Sequence, residues 1–310
     1  MRLGFVGTGV MGAPMVGHLV AGGHDVTVYD SSDRAQARLL ERVPAARVAS
    51  SLRELAAESE VVFTMLPNGR VVRSCVEGEN GLAAGLQPGS LLIDTSSSEP
   101  PLTRETASVL AARGGRMLDA PVSGAVEGAE AADLVFMVGG HEDDLARARP
   151  LLELLGRTII HLGPLGAGHL MKTVNNLATA LTLAGTIEAM SIGKAGGLDP
   201  TRMLEVLNVS TGGSFVSRHK IGQHIVPGSF EDPFKLALMF KDVSIARDEA
   251  RALGLSLPVT DLGHDLYRRA TDALDAGASV MELARWYAGL TGVRLWPDDG
   301  AVDTRAASDA

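Results

Sequence analysis

Short runs of β-branched and apolar residues alternate with amphipathic stretches through the first half of the chain. Runs at 3–6, 26–29, 61–65, 91–93, 116–118, 134–138 and 158–161 have the length and composition of strands. Between them, 11–21, 33–42, 52–58, 102–112 and 142–155 carry apolar residues at helical spacing. Strict alternation of strand and helix with short loops predicts a mostly parallel sheet covered on both faces, a doubly wound Rossmann-type α/β unit. The pattern changes after Gly163-Pro164-Leu165-Gly166. From there to about residue 292 no strand is expected; 167–195, 200–208, 214–225, 234–253, 258–274 and 279–291 read as helices divided by Gly- and Pro-containing breaks. The expected organisation is a Rossmann domain over 1–163, an all-helical domain over 164–295 and an acidic, frayed tail over 296–310.

Composition narrows the partners. The chain has 310 residues, enough for two domains, and its 45% apolar content supports sizeable cores. A formal net charge of −9 argues against nucleic acid or an anionic membrane surface as partner. One cysteine, Cys75, forbids an internal disulfide and fits a reducing compartment. The apolar N-terminal run is broken by Gly4, Gly7, Gly9 and Gly12, so a signal peptide is not expected. No stretch reaches membrane-span length without a charge or several glycines. A cytoplasmic protein with no metal centre is the expectation.

The first strand runs into Gly7-Thr-Gly9-Val-Met11-Gly12 and then into a helix. In that context Gly7 permits a tight turn, Gly9 lets backbone approach a pyrophosphate, and Gly12 allows close helix packing. The helix N-terminus offers free N–H groups and a positive dipole end to the phosphates. Asp30 ends the next strand, 18 residues after Gly12, where a carboxylate binds ribose hydroxyls and repels a 2′-phosphate. The predicted cofactor is therefore NAD in preference to NADP, with Arg34 one turn on as a residue that would soften the preference. Two further strand ends, Thr64-Met-Leu66-Pro67-Asn68 and Asp94-Thr-Ser96-Ser97, reach the same crevice; each also reads as an ordinary strand-to-helix loop with a Ser or Asn cap.

Chemistry concentrates in Gly166-Ala-Gly168-His-Leu-Met-Lys172-Thr-Val-Asn175-Asn176. A helix from about Ala167 sets Lys172 and Asn176 one turn apart on one face. Downstream, 177–193 offers only Thr, Ser and Glu188 as polar side chains, so this helix is expected to be buried nearly all round. A lysine at its start loses hydration, which disfavours the ammonium form and suits acid–base work. Taken alone, the segment reads equally as a surface lysine in the first turns of a core helix. Asp119-Ala-Pro121-Val-Ser123-Gly124-Ala-Val-Glu-Gly128-Ala129 is a loop leaving a strand, and Ser123 with the N–H groups around Gly124 suits a carboxylate.

Gly7-x-Gly9-x-Met11-Gly12, Met65-Leu66-Pro67, Asp119-Ala-Pro121-Val-Ser123-Gly124, Lys172-x-x-Asn175-Asn176 and Lys241-Asp242 occur in this order. Together they resemble the motifs of the β-hydroxyacid dehydrogenases, the group containing 3-hydroxyisobutyrate dehydrogenase and tartronate semialdehyde reductase. The resemblance covers roughly 3–292. It implies an NAD-dependent oxidoreductase interconverting a small β-hydroxyacid and its semialdehyde. Lys172 would be the acid/base and Asn176 would orient the substrate or the lysine. Ser123, Gly124 and Asn175 would bind the carboxylate-bearing substrate. Gly7, Gly9, Met11, Gly12, Asp30, Leu66, Pro67, Val71, Ser97 and Lys241 match dinucleotide positions. Family members typically associate through their helical domains, which implies a homodimer or homotetramer.

The chain departs from that pattern in places. Thr8 stands where Leu is common and His18 where Asn is common; His18 reads as a helix side chain rather than a catalyst. Ala125 replaces a usual Gly, and Ala132-Asp133 a usual Gly-Thr. Alanine disfavours positive φ, so the 125–133 loop is expected to sit differently, with Asp133 adding negative charge near the pocket rim. Ser214, Phe215 and Arg218 open a helix and read either as substrate-tail contacts or as helix surface. Alternative readings are an imine reductase, which typically lacks the lysine, and a non-catalytic dinucleotide-binding module of the same fold. The 6-phosphogluconate dehydrogenases share motifs but have a much larger helical part.

Overall fold

The computed structural model describes residues 1–297, so the frayed tail expected over 296–310 lies, from 298 onward, outside the described residues. The chain divides into two compact units, Met1–Val174 and a second beginning at Asn175. In the first, the strands are β1 (Arg2–Val6), β2 (Asp25–Tyr29), β3 (Arg47–Val48), β4 (Val61–Thr64), β5 (Leu91–Asp94), β6 (Arg116–Asp119), β7 (Val122–Ser123), β8 (Val135–Gly139) and β9 (Thr158–Gly163). Its helices are α1 (Gly12–Ala21), α2 (Asp33–Arg42), α3 (Leu52–Glu58), α4 (Gly69–Val76), α5 (Leu82–Gly85), α6 (Pro100–Ala111), α7 (Ala125–Glu130) and α8 (Glu142–Leu152).

The strand order is β3-β2-β1-β4-β5-β6-β8-β7, with β9 also paired to β8. Every pairing from β3 to β6 is parallel, as is β8 with β9. The two antiparallel joins lie at the far end, where β6 meets β8 only at Asp119↔Gly139 and β7 pairs β8 through Ser123↔Val135. Period-two alternation divides the central strands between two cores. Leu3, Phe5, Val61, Phe63, Leu91 and Ile93 enter one, while Val6, Val62 and Leu92 enter the other. This is the doubly wound arrangement that near-continuous apolar strands require.

Local signals set the helix starts. Ser51 caps α3 by accepting from the Glu54 N–H, and Glu54 returns its carboxylate to the Ser50 N–H at 2.7 Å. Asn68 caps α4, accepting from the Val71 N–H at 3.0 Å.

The first unit ends inside a long helix, α9 (Ala167–Ala195), whose bounds match the expectation. The second unit continues with α10 (Pro200–Val209), a π-helical segment Ser217–Ile225, α11 (Leu236–Ala252), α12 (Pro258–Ala273), a single 3₁₀ turn Val280–Glu282 and α13 (Leu283–Thr291). Its core gathers Leu183, Ile187, Met190, Ile221, Val243, Tyr267 and Leu283. Tyr267 is wholly buried and donates its hydroxyl to the Ala180 carbonyl at 2.9 Å. In the single chain the expectation that α9 is buried nearly all round is not met. Thr173, Asn176, Ala180, Leu183, Ala184, Ile187 and Met190 form a buried stripe, but Ala178, Gly185, Glu188 and Ala189 are exposed and Ile192 is 77% exposed. Small outward-facing residues count as apolar in a sequence while carrying little area to bury, which made a one-sided helix look two-sided. Among the described residues no helix is long and apolar enough to cross a membrane.

Candidate active site

The glycine loop meets three separate constraints. Gly7 has φ +97°, and a Cβ there would lie 2.3 Å from the Met65 carbonyl oxygen. A Cβ on Gly12 would lie 1.9 Å from the Gly7 carbonyl oxygen. At Gly9 a Cβ would meet no protein atom within 4 Å, so packing does not demand glycine there and the space beside this backbone is open. Met11 precedes α1 without a side-chain cap, and no acidic residue stands in the first turn, leaving a helix N-terminus suited to phosphate.

Asp30 organises this loop. Its Oδ2 accepts from the Thr8 N–H at 2.7 Å and the Thr8 hydroxyl at 3.2 Å, and its Oδ1 from the Ser32 N–H at 2.9 Å. Threonine at position 8 thus adds a bond that leucine lacks. Both carboxylate oxygens retain acceptor capacity for hydroxyl donors.

The loops after β4 and β5 are tied together. Buried Asp94 accepts from Thr64 Oγ1 at 2.8 Å, the Ser96 N–H at 3.0 Å and Ser98 Oγ at 3.0 Å. Ser96 Oγ in turn accepts from the Leu66 N–H at 2.9 Å. Leu66 and Ser97 are half-buried and Pro67 is exposed in the loops after β4 and β5, while half-buried Val71 lies in the first turn of α4. The two loops leave the C-terminal strand ends, where a parallel sheet opens its ligand crevice.

The loop after β6 and the start of α9 meet at one carboxylate. Asp119, wholly buried, accepts from the Gly166 N–H through Oδ1 and from the His169 N–H through Oδ2, both at 2.8 Å. It therefore caps the helix that carries Lys172 while its own chain runs on to Ser123 and Gly124. A Cβ on Gly168 would lie 2.2 Å from the Met137 carbonyl oxygen and 2.9 Å from Asp119 Oδ2, so the approach requires glycine. Lys172 is half-buried, one turn before Asn176 on the continuous helix.

Ser123 is half-buried in β7 and Gly124, with φ +136°, precedes α7 without a side-chain cap. Alanine does not force this loop out of positive φ. Ala125 and Ala132 take φ +56° and +52°, the left-handed conformation glycine would adopt. Each holds it at a cost of roughly 1–2 kcal/mol. Ala125→Gly is accordingly expected to stabilise the protein by about 1 kcal/mol, relief of strain outweighing the added unfolded-chain entropy. The check is thermal unfolding with and without the change; an unchanged or lower midpoint refutes it. Asp133 does not leave a bare charge at a rim. Arg157 binds it bidentately, and that hydrogen bonding holds its carboxyl below the usual range. The His18 ring nitrogen Nε2 lies 3.1 Å from the carbonyl oxygens of both Ala129 and Glu130, so His18 ties α7 to α1.

In the second unit Asn176 is buried and donates to Asp242 Oδ2 at 2.6 Å, while Asn175 donates to Asn176 Oδ1 at 3.0 Å. Lys241 Nζ lies 3.1 Å from Asp242 Oδ1. Phe215 is 62% exposed and stacks on His219 at 4.7 Å, and Arg218 is exposed, which favours helix surface for that segment. Two residues gain a role that their sequence positions did not announce. Asp242 stood beside Lys241 in a quoted motif, and His169 stood three residues before Lys172. Among the described residues no cluster of three or more His, Cys, Asp or Glu is arranged to hold a metal ion.

Residues 2–163 match the family model described as the NAD binding domain of 6-phosphogluconate dehydrogenase. Residues 166–287 match the NAD-binding of NADP-dependent 3-hydroxyisobutyrate dehydrogenase. A 3-hydroxyisobutyrate dehydrogenase of Pseudomonas aeruginosa is 37% identical over 295 residues, 93% of this chain and 98% of that relative.

The chain belongs to the β-hydroxyacid dehydrogenase family.

An NAD-dependent L-serine dehydrogenase of the same organism is also 37% identical, covering 86% of this chain and 91% of its own length. The solved 3-hydroxyisobutyrate dehydrogenase of Mycobacterium tuberculosis, described with L-serine, superimposes with a TM-score of 0.82 at 35% identity, covering 92% and 98% of the two chains. As a β-hydroxyacid dehydrogenase this protein is an oxidoreductase acting on a CH–OH group, and its Rossmann unit is an NAD-binding domain.

Proposed function

We propose that this chain is an NAD-dependent dehydrogenase converting a small β-hydroxyacid of the 3-hydroxyisobutyrate type into its semialdehyde, and the reverse. The observation that carries the reading is the Asp119 carboxylate, which binds the start of the Lys172 helix to the strand leading into Ser123 and Gly124. Residues proposed for the acid/base and for the substrate carboxylate thereby share one rigid support.

Residues 1–163 form the dinucleotide-binding part in this reading, and 164–295 the substrate and oligomerisation part. Gly7, Gly9, Met11 and Gly12 receive the pyrophosphate, Asp30 the ribose hydroxyls, and Leu66, Pro67, Val71, Ser97 and Lys241 complete the dinucleotide contacts. Bound there, NAD⁺ supplies the acceptor for the hydride that leaves the hydroxyl-bearing carbon. Ser123, Gly124 and Asn175 hold the substrate carboxylate. Lys172 Nζ takes the hydroxyl proton during oxidation and returns it to the carbonyl oxygen during reduction. Asn176 orients the reacting group, its own amide fixed by Asp242. The cytoplasm is the setting, consistent with the single cysteine. Exposed apolar side chains on the second unit, among them Val209 at 88% and Ile192 at 77%, support a homodimer or homotetramer formed through that part.

The test is a cofactor-by-substrate panel followed at the reduced-nicotinamide absorbance band. NAD⁺ and NADP⁺ are each offered with 3-hydroxyisobutyrate, 3-hydroxypropionate, glycerate, 4-hydroxybutyrate, threonate and L-serine. The expected result is turnover with NAD⁺ and a three- or four-carbon β-hydroxyacid. Silence across the panel overturns the reading.

A further inference from the structure

We infer that His169 is a positioning residue for Lys172, an inference that rests on the acid/base reading of that lysine. The His169 side chain is wholly buried. Its Nε2 faces the Ser96 carbonyl oxygen at 3.1 Å and its Nδ1 faces Thr103 Oγ1 at 2.7 Å. A carbonyl only accepts, so Nε2 is a donor to it. The carboxylates of Asp94 and Asp119, both wholly or almost wholly buried, lie 3.6 Å and 3.8 Å from the two ring nitrogens. The main chain of the same residue donates its N–H to Asp119, and its carbonyl accepts the Thr173 hydroxyl at 3.0 Å. One residue therefore joins the loop after β5, helix α6, the end of β6 and the first turn of α9.

These bonds fix something the Asp119 cap alone leaves free. A cap at the N-terminus holds the position of a helix but only weakly its rotation about its own axis. A planar ring pinned at both nitrogens holds that rotation. The Cα atoms lie about 2.3 Å from a helix axis, and an extended lysine carries its Nζ to about 8 Å. A rotation of about 10° then displaces Nζ by about 1.4 Å, and a misplacement near 1 Å costs on the order of 10²-fold in rate. The ring also reaches Ser96, whose hydroxyl holds the Leu66 N–H, so the lysine helix is registered against the two loops proposed to contact the dinucleotide.

The experiment uses His169→Gln, whose amide nitrogen reaches the place of Nε2, and His169→Asn, whose amide reaches only the place of Nδ1. Both are made in the full chain, alone and combined with Lys172→Ala. NAD⁺ affinity by fluorescence titration reports that the Rossmann unit is folded. The expected result is a fall in kcat of about 10- to 100-fold for His169→Asn and a smaller fall for His169→Gln, with NAD⁺ affinity and substrate KM within about threefold of the parent. In the Lys172→Ala background neither change lowers kcat further, because the residue acts through the lysine. A loss that persists in that background, or no loss in either single variant, overturns the positioning role while leaving the acid/base reading intact. Failure of both variants to bind NAD⁺ makes His169 a folding residue and also overturns it. Full turnover by Lys172→Ala alone brings down the acid/base reading itself, and this inference with it.

Discussion

Replacing Lys172 by alanine lowers kcat by about 10²–10⁴-fold, the range that general acid–base catalysis by one side chain contributes. On the proposed mechanism the β-hydroxyl proton then loses its base, and the reverse reaction its acid. Dinucleotide affinity is expected to stay within about twofold of the parent, because the glycine loop and Asp30 lie on other elements of the sheet. Lys172 is half-buried, so truncation removes little packing and the folded state survives. Steady-state kinetics with titration of NAD⁺ decides the matter. A variant that keeps near-parent turnover would falsify the assignment, and one that loses NAD⁺ binding in parallel points to the lysine as part of the cofactor site.

Gly12→Ala and Gly9→Ala are expected to fail in different ways, although both alter the same loop. At Gly12 the new methyl meets the Gly7 carbonyl oxygen at 1.9 Å, a backbone atom with nowhere to go. Overpacking of that kind costs about 1–3 kcal/mol and displaces the start of α1. The variant should melt earlier without cofactor and bind NAD⁺ weakly. At Gly9 no protein atom comes within 4 Å of the added methyl, so the apo melting midpoint should not move. The methyl is instead expected to interpose between the backbone and the pyrophosphate proposed to bind there. Loss of one charge-assisted hydrogen bond, about 1.5–3 kcal/mol, weakens NAD⁺ binding by roughly 10- to 100-fold. Parent-like NAD⁺ affinity in Gly9→Ala would show that the pyrophosphate lies elsewhere.

Much of this architecture was legible because its signals are local. The seven expected strands of the first unit are short apolar runs, and their observed ends fall within two residues of the expected ones. The elements that escaped notice are short. β3 and β7 have two residues each, too few to show a period of two. α4 opens on glycine and contains Val71 and Val72, so its propensity is weak and the Asn68 cap sustains it. The glycine loop and Asp30 could be read at fixed offsets from one strand. His169 could not, since its carboxylate partner Asp119 is 50 residues away and Asp94 is farther still. Asp242 escaped for the same reason, being 66 residues from Asn176. Burial of α9 was misjudged from a count of polar residues, which does not distinguish a large apolar side chain from alanine or glycine.

The double acceptor at Asp119 also dictates an order of events when the chain folds. Its bonds to the Gly166 and His169 amides close loops of 47 and 50 residues, and β8, α8 and β9 all lie inside those loops. Early closure would have to meet the full chain-entropy cost with nothing gained from the intervening segment. The first turn of α9 is thus expected to be set after the antiparallel extension of the sheet has formed, which pulse-labelled hydrogen exchange at the Gly166 and His169 amides would check. In the full-length chain the glycine loop and Asp30 need none of these long closures, so cofactor binding is expected to mature before the lysine helix takes its place.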